Sequence, residues 1–430
     1  MRLSREPWAR GLDRRAEAPT RLARVNVLIV GSGGREHALA WKIAQCTGLG
    51  DLHAAPGNPG IAALGTCHPL RPDDSEALLG LCHQLGIDLV IVGPEAPLVA
   101  GLADDLRHAG FAVFGPSAAA AQIEGSKSFA KEVMQAAGVP TAAGLEEPQA
   151  RCVIKADGLA AGKGVFVCRT DEDVTAALPK AEALGGRVVV EELLEGEEVS
   201  LFALCAGEDA LALAPAQDFK RLRDGDEGPN TGGMGSYSPV PALGAERVEE
   251  LVDAVHRPVL AELARRGAPF QGLLYAGLML TDDGPRVLEF NCRFGDPETQ
   301  AILPRLEGDL LEALAAAASG SVAGVDLSAG TDAAVTVVLA APGYPDAPES
   351  GAPLSGLDRA EEEGALVFQA GTALRGGALV SAGGRVLDVT ALGESVGEAR
   401  ERAYRAIDRI EFPGVQYRHD IALRAVHANA

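Results

Sequence analysis

Apolar residues in this chain gather first into short unbroken runs. Val25-Asn26-Val27-Leu28-Ile29-Val30 reads as a strand buried on both faces, since its branched apolar residues barely alternate with polar ones. It leads into Gly31-Ser32-Gly33-Gly34 and then a helix-like stretch at 35–42. Strand patterns return at 88–92 and 111–114, with a helical pattern at 97–108 between them. This alternation predicts a doubly wound parallel sheet over 25–125. Past Gly125 the pattern gives a helix to Ala137 and then strands at 152–155, 165–168 and 188–192 separated by glycine loops, an α+β unit. A third region opens near 330 with a strand at 333–339, a Gly/Pro-rich span, a strand at 384–389 and a helix at about 395–410. The predicted class is α/β and α+β, multidomain, without internal repeats.

Composition narrows the function classes. The 430 residues carry 38 Lys and Arg against 60 Asp and Glu, a formal charge of −22, and no strong basic patch. Such a surface repels polyanions, so neither nucleic acid nor an anionic membrane is an expected partner. No apolar run is long enough to span a bilayer. Seven scattered cysteines, an odd number without a C-x-x-C pair, fit reduced thiols and a cytoplasmic setting better than a disulfide or zinc framework. Residues 1–24 are Arg-rich with Glu6, Asp13 and Glu17 and lack an apolar core, so a disordered extension is expected there rather than a secretory signal.

Candidate chemistry lies in the loops. The first glycine turn misses the dinucleotide fingerprint, because Glu36 replaces its third glycine. A phosphate at a helix N-terminus and simple tight packing remain equally open readings of that turn. Glu95 directly follows a buried strand, where open α/β sheets bind ligands, but taken alone the position favours an acid that simply starts the next helix. The segment Lys155-Ala156-Asp157-Gly158-Leu159-Ala160-Ala161-Gly162-Lys163-Gly164 is not a Walker loop, since no Ser or Thr follows Lys163. It reads as a glycine flap with two lysines for a polyphosphate. The strand at 188–192 ends in acids that can face a nucleoside, although by itself the charge run favours a solvated turn; the hydrophilic, glycine-rich stretch through 218–221 and 228–235 has the length of a functional loop. In the strand ending Glu289-Phe290-Asn291-Cys292-Arg293, period two places Glu289, Asn291 and Arg293 on one face and Leu288, Phe290 and Cys292 on the other. A carboxylate beside a carboxamide suits a hard cation such as Mg²⁺, and Arg293 suits a carboxylate or phosphate.

These segments occur in one order, GSGGREHALAWK, APGNPG, VGPEAPLV, EGSKSFAK, IKADGLAAGKGV, EELLEGEEVS, GPNTGGMGSYSP, LEFNCRFGDPETQ and GGRVLDVTALG. In that order and over about 25–425 the chain resembles the phosphoribosylamine–glycine ligases, ATP-grasp carboxylate–amine ligases of purine synthesis. The resemblance implies a biotin-carboxylase-like N-terminal domain at 25–125 for phosphoribosylamine, an ATP-grasp domain at 126–330 with a lid at about 143–205, and a C-terminal domain at 331–430. It implies that glycine, 5-phosphoribosylamine and ATP are the small-molecule substrates, joined through glycyl phosphate, with Mg²⁺ or Mn²⁺ on Glu289 and Asn291. ATP would be held by Lys127, Lys155, Gly158, Gly162, Gly164, Glu191, Glu192, Leu194, Glu198, Lys220 and Asn230. Lys163, Arg293 and Asp218 would serve catalysis, Asp218 by gripping the glycine ammonium. Gly33, Gly34, Arg35, Glu36, Asn58, Glu95, Gly232, Gly233 and Met234 would meet the other substrates. A monomer is expected. Phe219 departs from the family pattern by standing where histidine is usual, and the strand at 273–280 lacks the acid many ATP-grasp enzymes carry there.

Overall fold

A computed structural model describes residues 24–428 except 161; the expected extension at 1–24 lies, apart from Arg24, outside the described residues. Val25–Gly31 is the centre of a five-stranded parallel sheet. Leu49–Pro56 and then Thr66–Cys67 lie on one side of it, Leu89–Val92 and then Ala112–Phe114 on the other. Strand order reverses between Val25–Gly31 and Leu89–Val92, so the chain opens a crevice at their carboxyl ends. Arg35 and Glu95 stand at the two lips of that crevice.

The predicted lid is a three-stranded antiparallel sheet. Cys152–Ala156 lies between Val165–Cys168 and Val188–Glu192, and helix Asp171–Gly185 covers it. Cys152, Ile154, Cys168 and Val190 pack with that helix in a small apolar core of their own. Alternation along the strand therefore turns Lys155 to the opposite face, toward the cleft. The next strand, Glu197–Gly207, pairs along its length with Phe270–Thr281 in a separate four-stranded sheet. Strand pairing thus ends the lid sheet at Glu192, short of the expected 205.

Phe270–Thr281 also pairs with Gly284–Asn291, and a bulge shifts register between Gly277 opposite Glu289 and Leu278 opposite Val287. The extra residue breaks period two. Val287, Phe290 and Cys292 stay in the core, while Leu288 turns to the cleft, contrary to the face expected for it. The last sheet crosses the sequence: Gln217–Asp218 and Gly235–Ser238 pair edge to edge, and Gly235–Ser238 pairs with Ala333–Ala340. Arg385–Gly393 and Ala365–Gln369 complete it. The mid-chain glycine loop is therefore anchored in the C-terminal sheet. No described helix is long and apolar enough to cross a membrane.

Candidate active site

One cleft of about 360 Å³ opens where these sheets meet. Helix Lys127–Ala137 supplies its first cations. Ser126 caps this helix by accepting from the Phe129 N–H at 3.2 Å, and Gly138 ends it in a left-handed turn. Lys127 and Lys131, four residues apart, share one face of that helix. Glu191 lies between two ammonium groups, Lys131 at 2.8 Å and Lys155 at 2.7 Å. Lys155 also donates to the Leu288 carbonyl at 2.8 Å, and Lys127 donates to the Gly158 carbonyl at 2.8 Å. Burial lowers the pKa of Lys127 and of Lys131. Asp157 ties this helix to the lid. Burial alone would raise its carboxyl, but hydrogen bonds from Ser128, Arg187 and Ser126 hold it down at about 2.

The opposite wall carries the oxygen donors. Burial would raise Glu289, yet Lys220, Lys155 and Lys127 keep its carboxyl below the usual range, hence ionised. Asn291 Oδ1 accepts from Arg293 at 3.2 Å. No described cluster of three or more His, Cys, Asp or Glu could hold a metal unaided. Two hard oxygen donors, with nucleotide phosphates and water completing six positions, are what Mg²⁺ favours, so the residues present fit it.

Arg293 is already engaged inside the protein. It bonds Glu124 at 3.0 Å and Glu95 at 3.2 Å. Glu124 also accepts the Cys292 N–H at 2.8 Å. Despite burial, Arg293 and Arg35 bring the Glu95 carboxyl down to about 2. Arg35 itself pairs with Glu36 at 2.6 Å and donates to the Phe294 carbonyl.

Several expected site residues stand elsewhere. The N-terminus of helix Gly34–Ile43 is occupied from within, because Glu36 accepts the Gly33 N–H at 2.6 Å. The residue that breaks the dinucleotide fingerprint thus takes the position an anion would have. Gly34 is a packing glycine: a Cβ there would sit 1.8 Å from Asp388 Oδ2. Asn58 spends its side chain on the Ile61 N–H and on the Ser32 and Gln369 carbonyls. Lys163 turns away from the cleft to donate to the Pro345 carbonyl at 2.9 Å, since the flap rests against the C-terminal unit. Asn230 bridges to the Val165 carbonyl and Glu192 accepts the Ala143 N–H. Glu198 holds Lys220. Leu194 is not among the cleft residues. Gly233 has φ of +111° and faces Pro297, so it shapes the loop, and Met234 is buried beside Leu222 and Ala340.

The remaining expected residues do converge on the cleft: Lys127, Lys155, Gly158, Gly162, Gly164, Glu191, Asp218, Lys220, Gly232, Glu289, Asn291, Arg293, Arg35 and Glu95. Sequence reasoning missed Glu124, Lys131, Tyr275, Asp296, Glu298 and Arg385, which also line it. All but Tyr275 lie inside the ordered segments that carried the resemblance. Arg385 pairs with Asp296 at 3.0 Å and donates to the Gly232 carbonyl at 2.6 Å. Phe219 faces the C-terminal core beside Tyr237, with the Arg418 guanidinium 4.9 Å from its ring centre. Arg418 is in turn held by Asp226 and Asp420.

Three segments match domains of phosphoribosylglycinamide synthetase: the N domain over 25–124, the ATP-grasp (A) domain over 125–299 and the C domain over 334–424. The chain belongs to the phosphoribosylglycinamide synthetase family. It is an ATP-grasp ligase. The phosphoribosylamine–glycine ligase of Mesorhizobium japonicum is 51% identical over 419 residues, covering 94% of this chain and 99% of that one. Its counterpart in Streptomyces coelicolor is 52% identical over 420 residues, covering 94% and 100%. The crystal structure of the Thermotoga maritima phosphoribosylamine–glycine ligase superposes with TM-score 0.78 at 35% identity, covering 93% of this chain and 100% of that one. The biotin carboxylase domain of Hydrogenobacter thermophilus 2-oxoglutarate carboxylase shares the fold, with TM-score 0.66 at 16% identity, over 94% and 98% of the two chains.

Proposed function

We propose that this cleft joins glycine to 5-phosphoribosylamine with ATP, giving glycinamide ribonucleotide, ADP and phosphate in purine synthesis. The observation that carries the reading is a single cleft in which Lys127, Lys155 and Lys220 surround the Glu289–Asn291 oxygen pair beneath a glycine flap, in a chain of this family. A free carboxylate resists an amine because oxide is a poor leaving group. Moving the γ-phosphoryl of ATP onto a glycine carboxylate oxygen breaks the bond to ADP and makes glycyl phosphate. The ribosylamine nitrogen then attacks the carbonyl carbon, the carbon–oxygen bond to phosphate breaks, and the nitrogen loses a proton.

The protein's part is alignment and charge. Lys155, fixed by Glu191 and the Leu288 carbonyl, and Lys127, fixed by the Gly158 carbonyl, present cations to the polyphosphate. Glu289 and Asn291 would hold Mg²⁺ or Mn²⁺, which when bound offsets phosphoryl charge during transfer. The flap at Gly158–Gly164 keeps water from the acyl phosphate. Arg35 and Glu95, at the crevice of the parallel sheet, receive the ribosylamine. Arg293 keeps the Glu95 and Glu124 carboxylates in place on that wall. The three functional units are 25–125, 126–330 and 331–430.

The setting we assign is cytoplasmic, supported by cysteines that are all free among the described residues. We assign a monomer, which light scattering on the purified protein checks. The test of function is ADP release measured with each substrate omitted in turn. Release must require both glycine and phosphoribosylamine; turnover with no amine, or equally with an unrelated amine, rejects the assignment. Glu289→Ala should keep the near-UV spectrum and lose turnover, and full activity in that variant removes the metal site.

A further inference from the structure

Outside the cleft, at the outer edge of the parallel sheet, two imidazole rings meet side by side. His53 lies on Leu49–Pro56, and His68 follows Thr66–Cys67, the short edge strand beside it. His53 stands opposite Thr66, and the His68 N–H donates to the Ala54 carbonyl at 2.8 Å, so period two carries both rings to one face. Leu52 and Ala54 turn the other way into the core, as does Cys67, whose thiol donates to the Asn58 carbonyl at 3.7 Å. His53 Nδ1 is 3.1 Å from His68 Nε2, with the ring centres 5.2 Å apart. Both rings are half-buried, and their outer nitrogens, His53 Nε2 and His68 Nδ1, make no hydrogen bond to another described residue.

That separation is close to the one a shared cation requires. Imidazole nitrogens bind a tetrahedral divalent cation at about 2.0–2.1 Å, which puts two of them about 3.3 Å apart. The pair is therefore about 0.2 Å from a chelating spacing, and reorienting the rings, without moving the strands, brings both lone pairs onto one point. One inner nitrogen now carries the proton of an N–H···N bond. That proton passes through water to the outer nitrogen of its own ring, so the pair takes a cation with no net loss of a proton. Burial, and then His68, hold the His53 pKa below the usual imidazole range and keep its lone pair available. The Asp51 carboxylate, two residues earlier on the same strand face, is near enough to oppose that shift and lends the spot negative charge. Two neutral imidazoles completed by water suit Zn²⁺, Ni²⁺ or Cu²⁺, whereas Mg²⁺ and Ca²⁺ seek oxygen.

We propose that His53 and His68 form a divalent transition-metal site, with Zn²⁺ as the fitting occupant, separate from the Glu289–Asn291 pair. With two protein ligands it is an exchangeable site, unlike the closed four-ligand kind. Its ligands come from neighbouring stretches of chain. Thr66–Cys67 is only two residues long and pairs with Leu49–Pro56 through His53 with Thr66 and Ala54 with Cys67. A cation held by both rings fastens this thin edge to the strand that leads into the Asn58 turn. Loading therefore stabilises the N-terminal unit and takes no part in the reaction.

The test is isothermal titration of Zn²⁺ into the untagged full-length protein, first stripped with a chelator that is then dialysed away. One equivalent should bind at the pair, and a hundredfold excess of Mg²⁺ should shift its Kd less than twofold. His53→Ala and His68→Ala should each weaken that binding at least tenfold, whereas Cys67→Ser and Glu289→Ala should leave it within twofold. Zn²⁺ should raise the thermal midpoint of the unaltered protein and leave that of His68→Ala unmoved. Absence of Zn²⁺ binding overturns the proposal, as does binding that survives in both histidine variants, binding lost in Cys67→Ser or Glu289→Ala, or a midpoint of the unaltered protein that Zn²⁺ does not raise. Should His53→Ala not fold by circular dichroism, His68→Ala and the Mg²⁺ competition decide.

Discussion

Asp388 is 1% exposed, and its carboxyl meets the amide of Gln300, which donates 2.8 Å bonds to Asp388 Oδ2 and to Asp296 Oδ1. Among the described residues, Asp388 Oδ1 and Gln300 Oε1 both lack a hydrogen-bond partner. Burial, and then the charge of Asp296, push the Asp388 carboxyl well above the usual carboxylate range, up to about 7. The folded protein therefore holds a proton that the unfolded chain releases at a much lower pH. Between the two values the folded state binds more protons, so stability falls as pH rises and levels off above about 7. With about 1.4 kcal/mol for each pKa unit, roughly 2 to 3 kcal/mol is lost between about pH 5 and pH 8. Asp388→Asn keeps the shape, cannot ionise and offers an N–H to Gln300. Thermal midpoints of the two proteins should nearly coincide at pH 5, with the variant progressively more stable toward pH 8. Parallel curves across that range would refute the assignment of the proton to Asp388.

Three further outcomes follow from contacts described above. Lys155→Met should raise KM for ATP tenfold or more, whereas Lys163→Met should leave it within twofold in the same assay, because the Lys163 ammonium sits on the Pro345 carbonyl. Gly34→Ala places a methyl group against Asp388 and should cost about 2 kcal/mol in chemical denaturation, within the range for overpacked cores. Arg418→Met takes the buried guanidinium from Asp420, whereas Arg424 still holds Asp226; with both acids partly exposed, the loss should be about 2 kcal/mol, less than the ~3–5 of a fully buried pair, read as a lower thermal midpoint.

Much of this molecule was legible because its signals are local. The buried runs at 25–30 and 88–92 gave the parallel sheet, and the alternation around Lys155 and Asn291 gave strands that face a cleft. What escaped depends on distant partners or on side-chain direction. Nothing near Glu36 announces that its carboxylate folds back onto Gly33, and nothing near Lys163 points to Pro345. The bulge at Leu288 exists only relative to the opposing strand, so strict alternation misplaced one side chain. Glu298 and Arg385 sit in segments already noticed, but that both line the cleft is visible only once its whole neighbourhood is in place.

The pairing of Gly235–Ser238 with Ala333–Ala340 bears on how the enzyme comes into being. During synthesis Asp218 and Lys220 emerge well before the strand that anchors their loop. A chain halted near residue 330 would leave Gly235–Ser238 as a bare edge, ready to pair with another nascent chain. Ligase competence therefore arrives late in translation, and the stretch before it is when the polypeptide most needs a chaperone's cover.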